Sequence, residues 1–395
     1  MVTEKQQMLV PTPRKHIIVV GAGVTGLTTA LKLSSDHISA QHHITIIASH
    51  IPGDESIDYT SPWAGADWSP QAGGSSADAE EQEYDKRTYD IWTLTLEANQ
   101  VEAEHLGLGF KECRIYWGKE GPDTEGGDGR GLWWRDAVKG FGVLDLEKEK
   151  DVPDGAVMGV KYRNICLNVP QHLQYLMEKV HEAGIDVIKA EVDVSRDLEG
   201  VVKDAKRMVM ESNSDVKEDD IFALINCTGL GARHFVGDVQ AEYLFPGRGQ
   251  TIIVKGEATM DRTYNDYPGH LSTPDEYAYV IPRPGSGTTI LGGCKQVGNW
   301  DPKVDEKVTE RIMERIKKWG LAEELRTKEG DFEVVSSQVG LRPGRKGGPR
   351  VEVEGKKKVD GVWVVHSYGH AGAGYEYSMG CSEKVAKLVG GLAEL

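Results

Sequence analysis

An α/β fold of two interleaved domains is predicted from three features of the sequence. A short apolar strand at residues 16–20 runs directly into a glycine turn and a helix, and a second apolar strand follows at 44–48. The C-terminal end returns to the same alternation, with a strand at 362–366 and a closing helix at 378–392. Between these α/β ends the pattern is richer in strands, as expected where a second domain interrupts the first.

Local signals place the elements in order. Residues 52–54, Pro-Gly-Asp, close the second strand with turn chemistry. Gly, Ser and Ala dominate residues 70–77, which read as a loop before a polar helix at 79–98. An Asp/Gly-rich stretch at 120–131 is a second loop. Residues 133–154 alternate charged and apolar side chains and fit no single element. Leu173, Leu176 and Val180 share one face of a helix at 171–183, which Gly184 can end. Strands are expected at 185–188 and 222–226, and a hairpin joins 277–281 to 288–291 through Pro-Gly-Ser-Gly. Val308, Ile312, Ile316 and Trp319 mark an amphipathic helix.

Bulk properties narrow the function. A net charge of −16 opposes general nucleic-acid binding, since phosphates would be repelled. No apolar run approaches the roughly 18 residues of a membrane span. The five cysteines are scattered, with no CxxC pair, and read as reduced thiols; no cluster has metal-ligand spacing. Residues 1–14 read as an N-terminal arm, and the Ala-Glu-Leu end does not match the Ser-Lys-Leu peroxisomal address.

Gly21, Gly23 and Gly26, with Ala22, Val24 and Thr25 between them, form GxGxxG after a strand and at the start of a helix. The first two glycines permit a tight turn and close approach of a pyrophosphate, and the third lets helix and strand pack. The helix N-terminus then faces the phosphates with free N–H groups. Ser49 and His50 stand where a ribose-binding acid is usual. Either Ser49 and backbone groups serve the ribose, or Asp54 or Glu55 reaches back.

Five further segments resemble D-amino-acid oxidases, in their usual order. They are SPWAGADW (61–68), NCTGLG (226–231), YVIPRP (279–284), VGLRPGR (339–345) and SYGHAGAG (367–374). The resemblance spans residues 15–392 and is nearest to the fungal branch. It implies a Rossmann-like FAD-binding domain (15–70, 155–240 and 335–395) interleaved with an antiparallel-sheet α+β substrate-binding domain (71–154 and 241–334). By resemblance, Ser61, Gly65, Ala66 and Asp67 border the flavin, and Thr228 and Gly229 lie on the other side of the dinucleotide. The tail Gly372, Ala373, Gly374, Tyr375 and Glu376 meets its pyrimidine end.

The resemblance also assigns the substrate clamp. Arg342 would hold the α-carboxylate through two parallel hydrogen bonds, with Tyr279 assisting and the Gly372 carbonyl accepting from the amine. It implies no catalytic base: hydride passes directly to the flavin, O2 reoxidises it to give hydrogen peroxide, and the imino acid hydrolyses to a 2-oxo acid and ammonia. Tyr264, Tyr267 and Tyr277 are alternatives for a lid tyrosine. Family habits suggest a homodimer, and either a peroxisomal or a cytoplasmic location.

The side-chain preference turns on Lys295 and Asp67. Lys295 stands where D-aspartate oxidases carry an arginine, so it could bind an acidic side chain. If Lys295 pairs with Asp67, the charges cancel and neutral D-amino acids are expected; an unpaired Asp67 would suit basic ones. Glu376 replaces the glutamine or threonine familiar near this tail, with one fewer donor to the flavin. The alternatives are a D-aspartate oxidase, an oxidase or dehydrogenase of another amine such as sarcosine or glycine, and a non-catalytic FAD-binding protein.

Overall fold

The structure, a computed structural model, describes residues 15–35, 42–265 and 276–393. The first part of the chain forms β1 (His16–Val20), α1 (Val24–Ser35), β2 (His43–Ala48), α2 (Ala79–Ala98) and α3 (Gln100–His105). Next come β3 (Leu108–Trp117), β4 (Gly142–Val143), β5 (Met158–Leu167), α4 (Val169–Glu182), β6 (Asp186–Lys189), α5 (Leu198–Ser212) and β7 (Ile221–Asn226). The middle comprises α6 (Asp238–Ala241), β8 (Leu244–Lys255), β9 (Asp261–Asn265), β10 (Glu276–Arg283), β11 (Thr288–Cys294), β12 (Gln296–Val297) and α7 (Glu306–Lys318). The chain finishes with β13 (Val334–Arg345), β14 (Arg350–Val353), β15 (Trp363–Tyr368) and α8 (Ser378–Ala393).

One sheet has the order β14-β15-β7-β1-β2-β6, parallel except for β14. Its centre, β1, is buried along its whole length, because helices cover both faces. Alternate side chains feed two cores. Ile17 and Val19 pack with Leu27 and Leu33 of α1, Leu173 of α4 and Val385 of α8. Ile18 and Val20 pack with Val201, Val202, Ala205 and Val209 of α5. Each such Val, Leu or Ile contributes about 1.5–3 kcal/mol when fully buried.

The second sheet runs β12-β8-β11-β10-β9-β3-β5-β4, with β13 along β8. Its pairs are antiparallel except β3–β9, which is parallel. Helix α7 covers one face through Val308, Ile312 and Ile316. Strands β5 and β13 pair within this sheet. The helix after the glycine turn begins at Val24, and α5, β3, β5, β8 and β13 are not among the elements the sequence pattern predicts.

All five cysteines are buried, and none forms a disulfide. Among the described residues, no helix is long and apolar enough to cross a membrane.

Candidate active site

The glycine turn sits where β1, β2 and β7 end together. The Gly21 N–H donates to the Ile47 carbonyl at 2.8 Å, and the Cys227 N–H donates to the Val20 carbonyl at 2.9 Å. Gly21 has φ +109°, and a Cβ there would fall 2.5 Å from the Cys227 carbonyl oxygen. A Cβ on Gly26 would meet the Gly21 carbonyl oxygen at 1.9 Å. Only glycine fits either place. The result is a bare backbone surface at a helix N-terminus beside the C-terminal ends of parallel strands, which suits a dinucleotide pyrophosphate.

Neighbouring segments brace this turn. The Val24 N–H donates to Ser61 Oγ at 3.0 Å, and the Tyr59 hydroxyl donates to the Ala22 carbonyl at 2.8 Å. Asn226 Oδ1 accepts from both the N–H and the hydroxyl of Thr228. The Asn226 amide is itself held by His366, whose ring bonds Glu354 at 2.8 Å. Burial lowers the His366 pKa below its ordinary value, despite that hydrogen bond to Glu354. Asp54 is engaged by Lys189 at 2.8 Å and by the Ile51 N–H at 2.9 Å, so its carboxylate is already committed. Ser49 and His50 bond each other at 3.1 Å, at the exit of β2.

From this turn a cleft of about 1710 Å³, mouth included, leads to the second sheet. Val24, Thr25, Ser61, Gly65, Ala66, Asp67, Gly374, Tyr375 and Glu376 line it, and so do Tyr279, Lys295, Arg342 and Gly372. Gly21, Ala22, Gly23, Gly26, Ser49, His50, Thr228, Gly229 and Ala373 do not. Trp68, fully buried against Tyr89 and Tyr162, anchors the 61–68 segment.

Arg342 lies on strand β13, opposite Gly247 of β8. Its Nη1 donates to the Cys294 carbonyl at 3.1 Å, and it forms no ion pair with an acidic residue among those described. The guanidinium rests on bare backbone, since a Cβ on Gly249 would be 2.1 Å from Nη1. Tyr279 is seated the same way: a Cβ on Gly292 would fall 2.1 Å from its ring. Burial raises the Tyr279 pKa to about 12 in spite of the nearby Arg342 charge, so the phenol stays a donor. The tail closes on the Arg342 strand, because the Ala371 N–H donates to the Pro343 carbonyl at 2.9 Å. A Cβ on Gly372 would lie 3.7 Å from Arg342 Cδ. The three residues of the expected clamp therefore share one end of the cleft.

The expected Lys295–Asp67 pair is absent. Asp67 instead turns to Asn164, at 3.4 Å, and to Asp261. Lys295 has no hydrogen-bond or ion-pair partner among the described residues. Burial, then the Arg342 charge, lowers its pKa from the ordinary lysine value. The chain holds 66–68 alongside β5, with the Leu167 N–H donating to Ala66 O and the Trp68 N–H to Ile165 O, both at 2.8 Å. That backbone pairing fixes the direction of Asp67. Glu376 is buried, and burial holds its carboxyl well above the usual carboxylate range.

Of the three tyrosines, Tyr277 lines the cleft, whereas Tyr264 is buried and stacks on Trp319 at 4.3 Å. Tyr267 lies outside the described residues. Sequence reasoning missed Thr60, Trp63, Gln71, Trp117, Thr251 and His370 on the cleft wall. His370 sits inside SYGHAGAG, so that motif could have pointed to it; burial lowers its pKa to about 4. Trp117 and Thr251 required strands β3 and β8, which the pattern did not disclose.

Residues 16–388 match the family described as DAO, FAD dependent oxidoreductase. The chain is 33% identical over 385 residues to a D-amino-acid oxidase of Fusarium vanettenii, covering 94% of this chain and 96% of that one. It is 28% identical over 391 residues to a D-aspartate oxidase of Talaromyces thermophilus, covering 95% of each. A glycine oxidase structure from Bacillus cereus superposes with a TM-score of 0.66 at 15% identity, over 96% of this chain and 95% of that one, a likeness of fold. The glycine cradle, the helix N-terminus and the cleft beyond them thus belong to a member of the FAD-dependent oxidoreductase family, with FAD as its cofactor.

Proposed function

We propose that the protein is a D-amino-acid oxidase, converting D-amino acids to 2-oxo acids, ammonia and hydrogen peroxide. The observation that carries this reading is Arg342: a guanidinium without an acidic partner, on a glycine floor, beside Tyr279 and Gly372. A cation so placed asks for a carboxylate, and its fork geometry suits two parallel hydrogen bonds.

Bound FAD would supply the hydride acceptor and the route of electrons to O2. The chain supplies position. Arg342 and the Tyr279 phenol hold the α-carboxylate, and the Gly372 carbonyl accepts from the amine. Fixing both groups leaves only one enantiomer with its α C–H directed at the cofactor wall around Gly65 and Ala66. His370, neutral through burial, adds no charge to the clamp.

For the side chain, neutral substrates were expected from a Lys295–Asp67 pair. Because Asp67 turns to Asn164 and Asp261, Lys295 stays a second cation near Arg342, and acidic D-amino acids are the favoured second reading. The test is peroxide release from purified, FAD-loaded protein with D-Ala, D-Met, D-Lys and D-Asp, and each L-enantiomer. D-only turnover supports the oxidase reading. A kcat/KM preference for D-Asp makes Lys295 the side-chain ligand, and silence on every D-amino acid overturns the proposal.

A further inference from the structure

We propose that Asp67 and Asp261 form a carboxyl pair sharing one proton, clamped by Asn164, and that this pair decides which side-chain charge the cleft accepts. The inference rests on the reading of Arg342 and Lys295 as the carboxylate-binding end.

Three elements bring the pair together. Asp67 is fixed by the backbone pairing of 66–68 with β5 and lines the cleft. Asp261 begins β9 opposite Cys113 of β3 and is wholly buried. Asn164 of β5 is also wholly buried, and its amide donates to Asp261 Oδ2 at 2.7 Å and to Asp67 Oδ2 at 3.4 Å. One amide nitrogen thus reaches Oδ2 of both carboxyls, which sit side by side away from bulk water. Two ionised carboxylates so placed repel and offer only acceptors, and a proton shared between them relieves both. Asp261 Oδ1, buried and without a donor from the protein, is the oxygen that such a proton satisfies.

The surroundings keep this proton in place. Cys113, Cys166 and Tyr162 pack around the pair as neutral groups, their pKa values raised chiefly by burial. Glu376 and Tyr279 face it from the cleft, and both are held protonated by burial. Among the described residues no Lys or Arg bonds either carboxyl; the nearby Lys111 is taken by Glu257 at 2.7 Å. Arg342 and Lys295 are the cations of the cleft itself.

With one proton the pair is a monoanion facing the cleft, which opposes a second carboxylate on a ligand. With two protons it is neutral, and Lys295 then meets that carboxylate unopposed. Dicarboxylates are therefore admitted as pH falls and excluded as it rises. Asn164 and Asp261 are positioning residues: they act through Asp67.

The test measures binding of succinate and of butyrate, four-carbon di- and monocarboxylates, to FAD-loaded protein through the flavin absorbance change. For wild type, the succinate-to-butyrate affinity ratio should be higher at about pH 6 than at about pH 8. Asp67→Asn should raise the ratio on the order of tenfold at the higher pH, with a smaller change at the lower one. Asp261→Asn removes the partner that lowers the Asp67 pKa and leaves the burial that raises it, so Asp67 keeps its proton to higher pH and the exclusion of succinate at the higher pH should weaken. Ratios identical in wild type and both variants at each pH would overturn the proposal. D-amino-acid turnover of the same preparations is read separately, so the oxidase reading can fail while the charge pair stands, or the reverse.

Discussion

Arg342, half-buried, faces a ligand, whereas Asp85, wholly buried, faces only the protein. Arg342 keeps its charge for a ligand, so Arg342→Lys preserves the cation and removes the fork. Losing one charge-assisted hydrogen bond costs about 1.5–3 kcal/mol, so KM for the best D-amino acid should rise roughly 10- to 150-fold with FAD content unchanged. A KM within about threefold of wild type would remove Arg342 from carboxylate binding. Asp85 is wholly buried; its Oδ2 accepts the Gln71 and Ala72 N–H groups, and burial lifts its pKa to about 8. Its pKa unfolded is near 3.9, so between those values the native state holds a proton the unfolded chain has lost. Stability from this group is therefore complete at acidic pH and declines as pH rises toward about 8. Asp85→Asn cannot lose that proton and should gain stability relative to wild type from roughly pH 5 to pH 9. Urea unfolding midpoints read this, and a difference constant with pH would exclude the mechanism.

At the scale of elements, glycines separate the two ligand seats. Gly26→Ala places a methyl against the Gly21 carbonyl, backbone on backbone, and should abolish FAD retention through purification. Gly249→Ala places it against the Arg342 guanidinium and should raise KM severalfold or more while the protein remains yellow. If both variants lose FAD alike, the cleft does not divide in this way. The same elements show why parts of the fold were hidden in the sequence. The amphipathic helix α7 and the turn-bounded β1 and β2 carry clean periodicity. Strand β8 does not: it contains Pro246, Gly247, Gly249 and a buried Arg248, which bonds Gln250, Gln296 and the carbonyls of Asp301 and Lys303. Strand β13 reads as a loop for the same reason, with Gly340, Pro343 and Gly344 in its length. One of these breakers, Gly249, is what the site needs, bare backbone beneath Arg342, so function weakened the signal of β8. The clamp was legible through its motifs, whereas the partner of Asp67 was not, because Asn164 and Asp261 are far apart in sequence and carry no local pattern.

Over the whole molecule, one domain is threaded through the other. Strand β5 leaves the second sheet and passes within two residues to α4 of the first layer. FAD bridging the two regions should stabilise the protein as a ligand of the native state alone: at a hundredfold excess over Kd, about 2.7 kcal/mol. Thermal unfolding of stripped and reloaded protein should show the midpoint rising with FAD concentration. A midpoint independent of FAD would mean the cofactor seat forms without contributing to stability. At this scale the interleaving was readable from the α/β ends and the strand-rich middle, but the sheet to which β5 and β13 belong was decided by tertiary pairing.

The burial of every cysteine has a consequence for the working life of such a catalyst. The thiolate, not the thiol, reacts with peroxide. Burial raises the pKa of Cys113, Cys166 and Cys381 well above the usual thiol value, and that of Cys227 to about 12. An oxidase of the proposed kind would release an oxidant at every turnover and expose none of its own sulfhydryls to it. Oxidative wear should begin elsewhere, with the thiol count intact when activity has already decayed.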